Sequence, residues 1–300
     1  MRPSKKSNKY KGQLSFDYDL PKEQDRNFHL GGRSFYFFDF DDNVAYLSTP
    51  IIIFHKKTGH ELALSSGQFA QENKNIGKSG GYQDYFIDFS DTSGSFRHFR
   101  DKELHPLEIK AGKLQGFVED IQKALENVDS LWKAPSWNCF FHATFNHRPV
   151  SLITARGHHP NTIKDGVNLM VKSGYLPHDP NYHSIYPVSN PEIRLELGDD
   201  KFIKSVAELK KDAIRASVKS AVELYGHSPY HRFGMSDDDH KNVELITEEM
   251  RSLKRDYPEM SFFVIETFKD SFSKLEILEH ETREVISTKE SKSSQMSLFD

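Results

Sequence analysis

Short apolar runs that stop abruptly at polar or acidic residues alternate along this chain with stretches whose apolar residues recur every three or four positions. Residues 33–38, RSFYFF, are almost wholly apolar and end at Asp39. Such a run suits a strand buried on both faces, as in a parallel sheet. Residues 150–154, VSLIT, read as a second strand, and 231–235 as a short third that leads into Ser236, Asp237, Asp238 and Asp239. Residues 261–265 and 274–278 read as two more. Helical spacing runs through Phe117, Ile121, Ala124, Leu125 and Val128 in 114–131, and through Ile163, Val167, Met170 and Val171 in 162–176, where Gly174 suits a C-cap. Residues 205–225 predict a long amphipathic helix stopped by Gly226, and 243–253 a helix that ends before Pro258. Residues 50–54 and 61–64 flank KKTGH and predict a β-hairpin with Gly59 in its turn. Strand and helix in alternation predict an α/β sandwich with a mainly parallel sheet flanked by helices. The Gly/Ser/Asn-rich stretch 65–81 matches no element.

Composition narrows the class. The chain has 300 residues, 36% of them hydrophobic and 28% charged. That is enough for one large domain or two small ones with a sizeable core. No stretch approaches the roughly 18 apolar residues of a membrane span. A net charge of −4 gives no global basic field, so composition does not predict nucleic-acid binding. The single cysteine, Cys139, excludes an internal disulfide and a multi-cysteine zinc site. Residues 1–13 are lysine-rich with no apolar signal region, so a reducing cytoplasm is the expected location. Residues 1–27 are polar and aperiodic and read as a flexible arm or an irregular surface wrap.

In a parallel α/β sheet, ligands bind beyond the carboxyl ends of the strands. Asp39 and Asp41 follow the first strand, Thr154 ends the second, and Asp237, Asp238 and Asp239 follow the third. Lys210 and Lys211 lie on the helix that feeds the third. Carboxylates gathered in this way repel one another unless a cation sits among them. An oxygen-rich site of this kind suits Mg²⁺. A lysine and a threonine hydroxyl beside it complete a cradle for a phosphoryl group, and an aspartate can act as the covalent nucleophile. The third acidic run can also cap the helix that follows it, and one of its three acids is expected to do so.

These four segments resemble the motifs of the haloacid dehalogenase (HAD) superfamily, in the family's order. FYFFDFDDNV, residues 35–44, looks like the first motif, and SLITARG, 151–157, resembles the second. AELKKDAI, 207–214, resembles the third and FGMSDDDHKN, 233–242, the fourth. The resemblance implies a Rossmann-like core and a Mg²⁺-dependent phosphomonoester hydrolase. Asp39 would take the phosphoryl group. Asp41 would protonate the leaving oxygen, activate the water and offer its backbone carbonyl to the metal. Thr154 and Lys210 would hold phosphoryl oxygens, with Lys211 as the competing lysine. Asp39, Asp41, Asp237 and Asp238 would form the metal shell, with Asp239 competing for the last place. Arg156 is expected to bind substrate, because its fork suits phosphate. Asn43 departs from the Thr or Val usual in the family.

The interval from Asp41 to Thr154 is long for one crossover, and that from Thr154 to Lys210 leaves room for one more strand–helix unit. The resemblance therefore implies a domain over 28–285, with an enlarged hairpin flap and a small cap in 45–110. Whether the cap encloses small metabolites or leaves the site open to polymers stays undecided. His142, His147, His158, His159 and His183 show no i, i+4 pairing with an acidic partner, so no transition-metal site is expected; His158 and His159 lie near enough in sequence to touch substrate. The last stretch, 286–300, reads as a flexible tail. Its Gln295, Leu298 and Phe299 resemble the linear motif that docks bacterial replication and repair proteins onto the DNA sliding clamp. Two alternatives follow. Clamp docking would make the substrate a nucleic-acid end, with Lys5, Lys6, Lys9 and Lys11 on its phosphates. Leu298 and Phe299 could instead anchor the tail on the domain. A third alternative, from another class, is an interaction module on a HAD scaffold without catalysis.

Overall fold

A computed structural model describes residues 21–268 and 271–287. In chain order the elements are β1 (Ser34–Phe38), β2 (Ile51–His55), β3 (Glu61–Leu64), α1 (Ser66–Glu72), β4 (Tyr85–Phe86), α2 (Pro106–Lys110), α3 (Gly116–Leu125), α4 (Asp129–Trp132) and α5 (Trp137–Phe145). They continue with β5 (Pro149–Thr154), α6 (Pro160–Lys172), β6 (Asn181–Pro187), α7 (Pro191–Glu196), α8 (Val206–Tyr225), β7 (Arg232–Asp237), α9 (His240–Asp256), β8 (Ser261–Phe268), β9 (Ser271–Ile277) and β10 (Thr282–Ser287).

The central sheet runs β10-β9-β8-β7-β1-β5-β6. β8, β7, β1, β5 and β6 are parallel, and β9 and β10 add an antiparallel edge. The chain winds outward from β1 to β6, then crosses back to β7 on the other side of β1. In such sheets a reversal of this kind is where ligands bind, here at the carboxyl ends of β1 and β7. Helices cover both faces, giving a mixed α/β fold of Rossmannoid architecture. Side-chain alternation in β1 divides the core: Tyr36 and Phe38 pack with α3, α5 and α6, while Phe35 and Phe37 pack with α8 and α9. Both faces of β1 are therefore buried, as the unbroken FYFF run requires.

Local signals account for the helix ends. Ser205 caps α8 in a reciprocal capping box with Glu208, and Gly226 closes it at φ 80°. Gly59 turns the β2–β3 hairpin at φ 67°. Several expectations need correction. The helix expected over 114–131 divides into α3 and α4, and Val128 lies exposed in the break rather than on the buried face. The unassigned 65–81 stretch opens with α1, begun by a Ser65–Gln68 capping box. α5 gives little periodic signal because WNCFFHATF is apolar almost all round, and β6 and β10 are polar edge strands. β6 and α7 fill the interval that leaves room for one more strand–helix unit.

A separate sheet, β3-β2-β4, forms within residues 45–110 on a small core of Ile53, Leu64 and Ile76. The described end of the N-terminal arm is tied down. Asp25 is buried and accepts from the Ser34 N–H and hydroxyl at 2.6 and 2.9 Å, with Arg148 at 3.5 Å. Lys5, Lys6, Lys9 and Lys11, and the tail residues Gln295, Leu298 and Phe299, lie outside the described residues. Among the described residues no helix is long and apolar enough to cross a membrane.

Candidate metal and phosphoryl site

β1 and β7 are neighbours in register, with Phe38 opposite Ser236. Asp39 and Asp237 therefore leave the sheet side by side. The loop after β1 is a tight turn in which the Val44 and Ala45 N–H groups return to the Phe40 carbonyl at 2.9 and 3.0 Å. Asp42 takes a left-handed conformation there, φ 55°. Asn43 staples the turn to the sheet. Its fully buried amide donates to the carbonyl of Asp39 (3.0 Å) and to the carbonyl and hydroxyl of Ser236 (3.1 and 2.8 Å). Its Oδ1 accepts from Ser136 and Thr267 at 2.8 and 2.9 Å. A residue that satisfies five contacts at the end of β1 fixes where Asp39 points.

Asp39, Asp237 and Asp238 each bring a carboxylate oxygen within 4.8 Å of the others. Asp39 and Asp237 are buried and Asp238 is half-buried. The Lys210 ammonium, 1% exposed, bridges Asp39 Oδ1 at 3.0 Å and Asp237 Oδ2 at 2.6 Å. Burial disfavours the charge on Lys210, but Asp237 and Asp39 outweigh it and raise its pKa. The far oxygen of Asp237 accepts from the Asp239 N–H at 3.0 Å and Asn242 Nδ2 at 3.1 Å.

One ammonium does not balance three carboxylates. Burial, with the neighbouring charges of Asp237 and Asp41, raises the Asp39 pKa to about 8 against the pull of Lys210. Burial and the charges of Asp39 and Asp237 raise Asp238 to about 9. Three carboxylates converging on one point form an oxygen-only donor set that a divalent cation suits. Among the described residues it is the one group of three or more His, Cys, Asp or Glu side chains close enough to share an ion.

The open alternatives separate here. Lys210 enters the cluster, whereas Lys211 is half-exposed and faces Glu249 at 3.8 Å. The sequence holds a signal for this. Lys210 shares the stripe of Ala213, Ile214, Ser217 and Val218, the buried face of α8, and Lys211 does not. Asp238 joins the cluster, whereas Asp239 caps α9 through the Lys241 N–H at 2.9 Å. Thr154 is buried at the end of β5, where its hydroxyl accepts from the Arg156 N–H at 3.4 Å.

Asp41, whose backbone carbonyl and not its carboxylate is expected at the metal, and Arg156 meet each other. The Asp41 carboxylate lies outside the three-acid cluster and pairs with Arg156, whose Nε and Nη2 donate to Oδ2 and Oδ1 at 2.8 and 2.6 Å. The fork expected to meet a phosphoryl group is thus taken by a carboxylate. His158 is fully buried, and neither ring nitrogen has a protein partner. Burial, with Arg156 nearby, pushes its pKa down to about 2. His159 caps α6 through the Asn161 N–H at 3.1 Å. His158 is thus enclosed, whereas His159 is exposed. His142 lies against Asn146, His147 stacks on His178, and His183 meets the Ser217 carbonyl, all away from the acidic cluster. No protein-family model, curated protein or solved structure matches the chain.

Proposed function

We propose that the chain is a Mg²⁺-dependent phosphomonoester hydrolase with a HAD-like core, acting through an aspartyl-phosphate at Asp39. The observation that supports it is the buried Asp39–Asp237–Asp238 cluster, ion-paired to Lys210 at the ends of adjacent parallel strands. The insertion at 45–110 is read as its flap, the β2–β3 hairpin, and a small cap.

Asp39, Asp237 and Asp238 would hold the cation, which supplies charge neutralisation to the phosphoryl oxygens and the crowded carboxylates. Asp39 attacks phosphorus; the phosphorus–ester oxygen bond breaks as the phosphorus–Oδ bond forms. Asp41 gives a proton to the leaving oxygen. Water then attacks phosphorus, Asp41 takes its proton, and the Asp39 carboxylate is restored as inorganic phosphate leaves. Lys210 holds Asp39 in place and lies within reach of a phosphoryl oxygen, with the Thr154 hydroxyl as the opposite donor.

The test is phosphate release, with Mg²⁺ or chelator, from a panel of an aryl phosphate, nucleotides, sugar phosphates and oligonucleotides phosphorylated at either end. Mg²⁺-dependent release that disappears in Asp39→Asn is expected. A folded, metal-binding protein that releases phosphate from none of them would leave a non-catalytic binding role as the better account.

A further inference from the structure

Arg156 is the most enclosed cation near the crevice. It is fully buried, and its guanidinium carbon lies over the rings of Phe99 and Phe117, 4.9 and 4.7 Å from their centroids. Cation–π contact with two rings restrains the planar fork. Rotation in the plane is restrained by hydrogen bonds. Nε and Nη2 hold Asp41, and Nη2 also donates to Thr49 Oγ1 at 2.7 Å. Thr49 in turn donates to Asp120 Oδ2 at 2.5 Å, and Asp120 is buried on α3. The chain Asp41–Arg156–Thr49–Asp120 therefore joins the loop after β1, the loop after β5, the base of the hairpin and α3. Only Nη1 has no protein partner.

We infer that Arg156 is a positioning residue for Asp41 and not a ligand of the phosphoryl group. The Nε–Nη2 edge of the guanidinium grips Asp41, and the second Nη2 proton goes to Thr49, so neither bidentate edge is left whole for a phosphate. Each Asp41 oxygen keeps a second lone pair for a proton, so the pair directs the carboxylate without consuming it. Thr49 and the two rings set the direction of the fork. This inference rests on the proposed aspartyl-phosphate chemistry, in which Asp41 exchanges a proton first with the leaving oxygen and then with water.

The two half-reactions give a test. With p-nitrophenyl phosphate the leaving oxygen departs as a stable phenolate, so the phosphoryl group reaches Asp39 without help from Asp41. The second half, water attack with its proton passing to Asp41, still needs the carboxylate aligned. Full-length wild type, Asp41→Asn, Arg156→Lys and Thr49→Val are compared by rapid quench in Mg²⁺, with intact mass for phosphorylated protein and inhibition by vanadate. In Arg156→Lys we expect a stoichiometric burst of nitrophenol, accumulation of phosphoprotein and a steady state about a hundredfold slower than wild type, the scale of a small misalignment. Vanadate affinity is expected to stay near that of wild type. Thr49→Val keeps side-chain volume and both rings, is expected to show the same pattern in milder form, and carries the test if Arg156→Lys does not fold.

A fall in vanadate affinity of about a hundredfold without a burst, the scale of losing a preorganised oxyanion donor, would make Arg156 a phosphoryl ligand and overturn the inference. Equal loss of burst and steady-state rates would reduce Arg156 to a structural residue. An Asp41→Asn protein with the wild-type steady state and no accumulated phosphoprotein, or an inactive wild type, would instead bring down the aspartyl-phosphate chemistry on which the inference stands.

Discussion

Lys210 shows how one side chain sets the charge of the whole crevice. Removing it leaves Asp39 and Asp237 buried without their shared ammonium. Lys210→Met is expected to lower stability by about 3–5 kcal/mol in chelator at neutral pH, the scale of breaking a buried ion pair. Urea unfolding measures this, and a loss below about 1 kcal/mol would place the pair among exposed salt bridges in its energetics. His158 gives a second residue-scale expectation. Its pKa is held near about 2, mainly by burial, against an ordinary 6.5. Below about pH 6.5 the unfolded chain binds a proton there that the folded chain refuses, so this residue makes stability fall as pH falls. His158→Gln is expected to remove that component. Relative to wild type the variant should gain stability by about 1.4 kcal/mol for each pH unit below the ordinary value. An unchanged difference across that range would mean that the imidazole titrates normally.

Among the elements, α3 and α6 meet at an unusually close approach. A Cβ built on Gly166 of α6 lies 2.4 Å from the Phe117 ring of α3, the same ring that faces Arg156. Helix propensity favours Ala over Gly by about 1 kcal/mol in a helix interior. The clash should win here: overpacking costs typically about 1–3 kcal/mol, and Phe117 has Arg156 behind it. Gly166→Ala is therefore expected to unfold at lower urea than wild type. Increased stability would show that the α3–α6 contact is loose. α8 and β7 work as a pair, since one lays Lys210 along its buried stripe and the other delivers Asp237 to the end of the sheet.

At the scale of the whole molecule, the crevice couples folding to protons and cations. Asp39 and Asp238 have pKa values of about 8 and about 9 in the folded chain, against an ordinary 3.8. Between those values the folded state keeps protons that the unfolded state has released, so stability falls as pH rises. Across about pH 4 to 9 this component is expected in chelator, and Mg²⁺ should flatten it by replacing the protons as counter-charge. Urea titrations at several pH values, with chelator or Mg²⁺, measure both. Identical slopes in the two would remove the cluster as a metal site.

The amino-acid sequence by itself determined what depends on near neighbours. An apolar run ending at Asp39, a capping box at Ser205 and a glycine at position 226 each act within a turn or two of chain, and the elements formed where those signals stand. The order of the acidic and polar strand ends was legible for the same reason, because a parallel sheet collects the ends of its strands on one side. Elements without a strong one-sided pattern were not legible: α5 is apolar almost all round, and β6 and β10 are edges whose pairing is decided by strands elsewhere. Lys210 over Lys211 stood within reach, in the stripe of α8. Asp238 over Asp239 depended on which carboxylate turned back to cap α9. The Asp41–Arg156 pair spans 115 residues. No local rule selects a carboxylate over a phosphoryl group for that fork. Only the tertiary structure brought the pair together, by placing the guanidinium against the rings of Phe99 and Phe117, where its Nε and Nη2 meet Asp41.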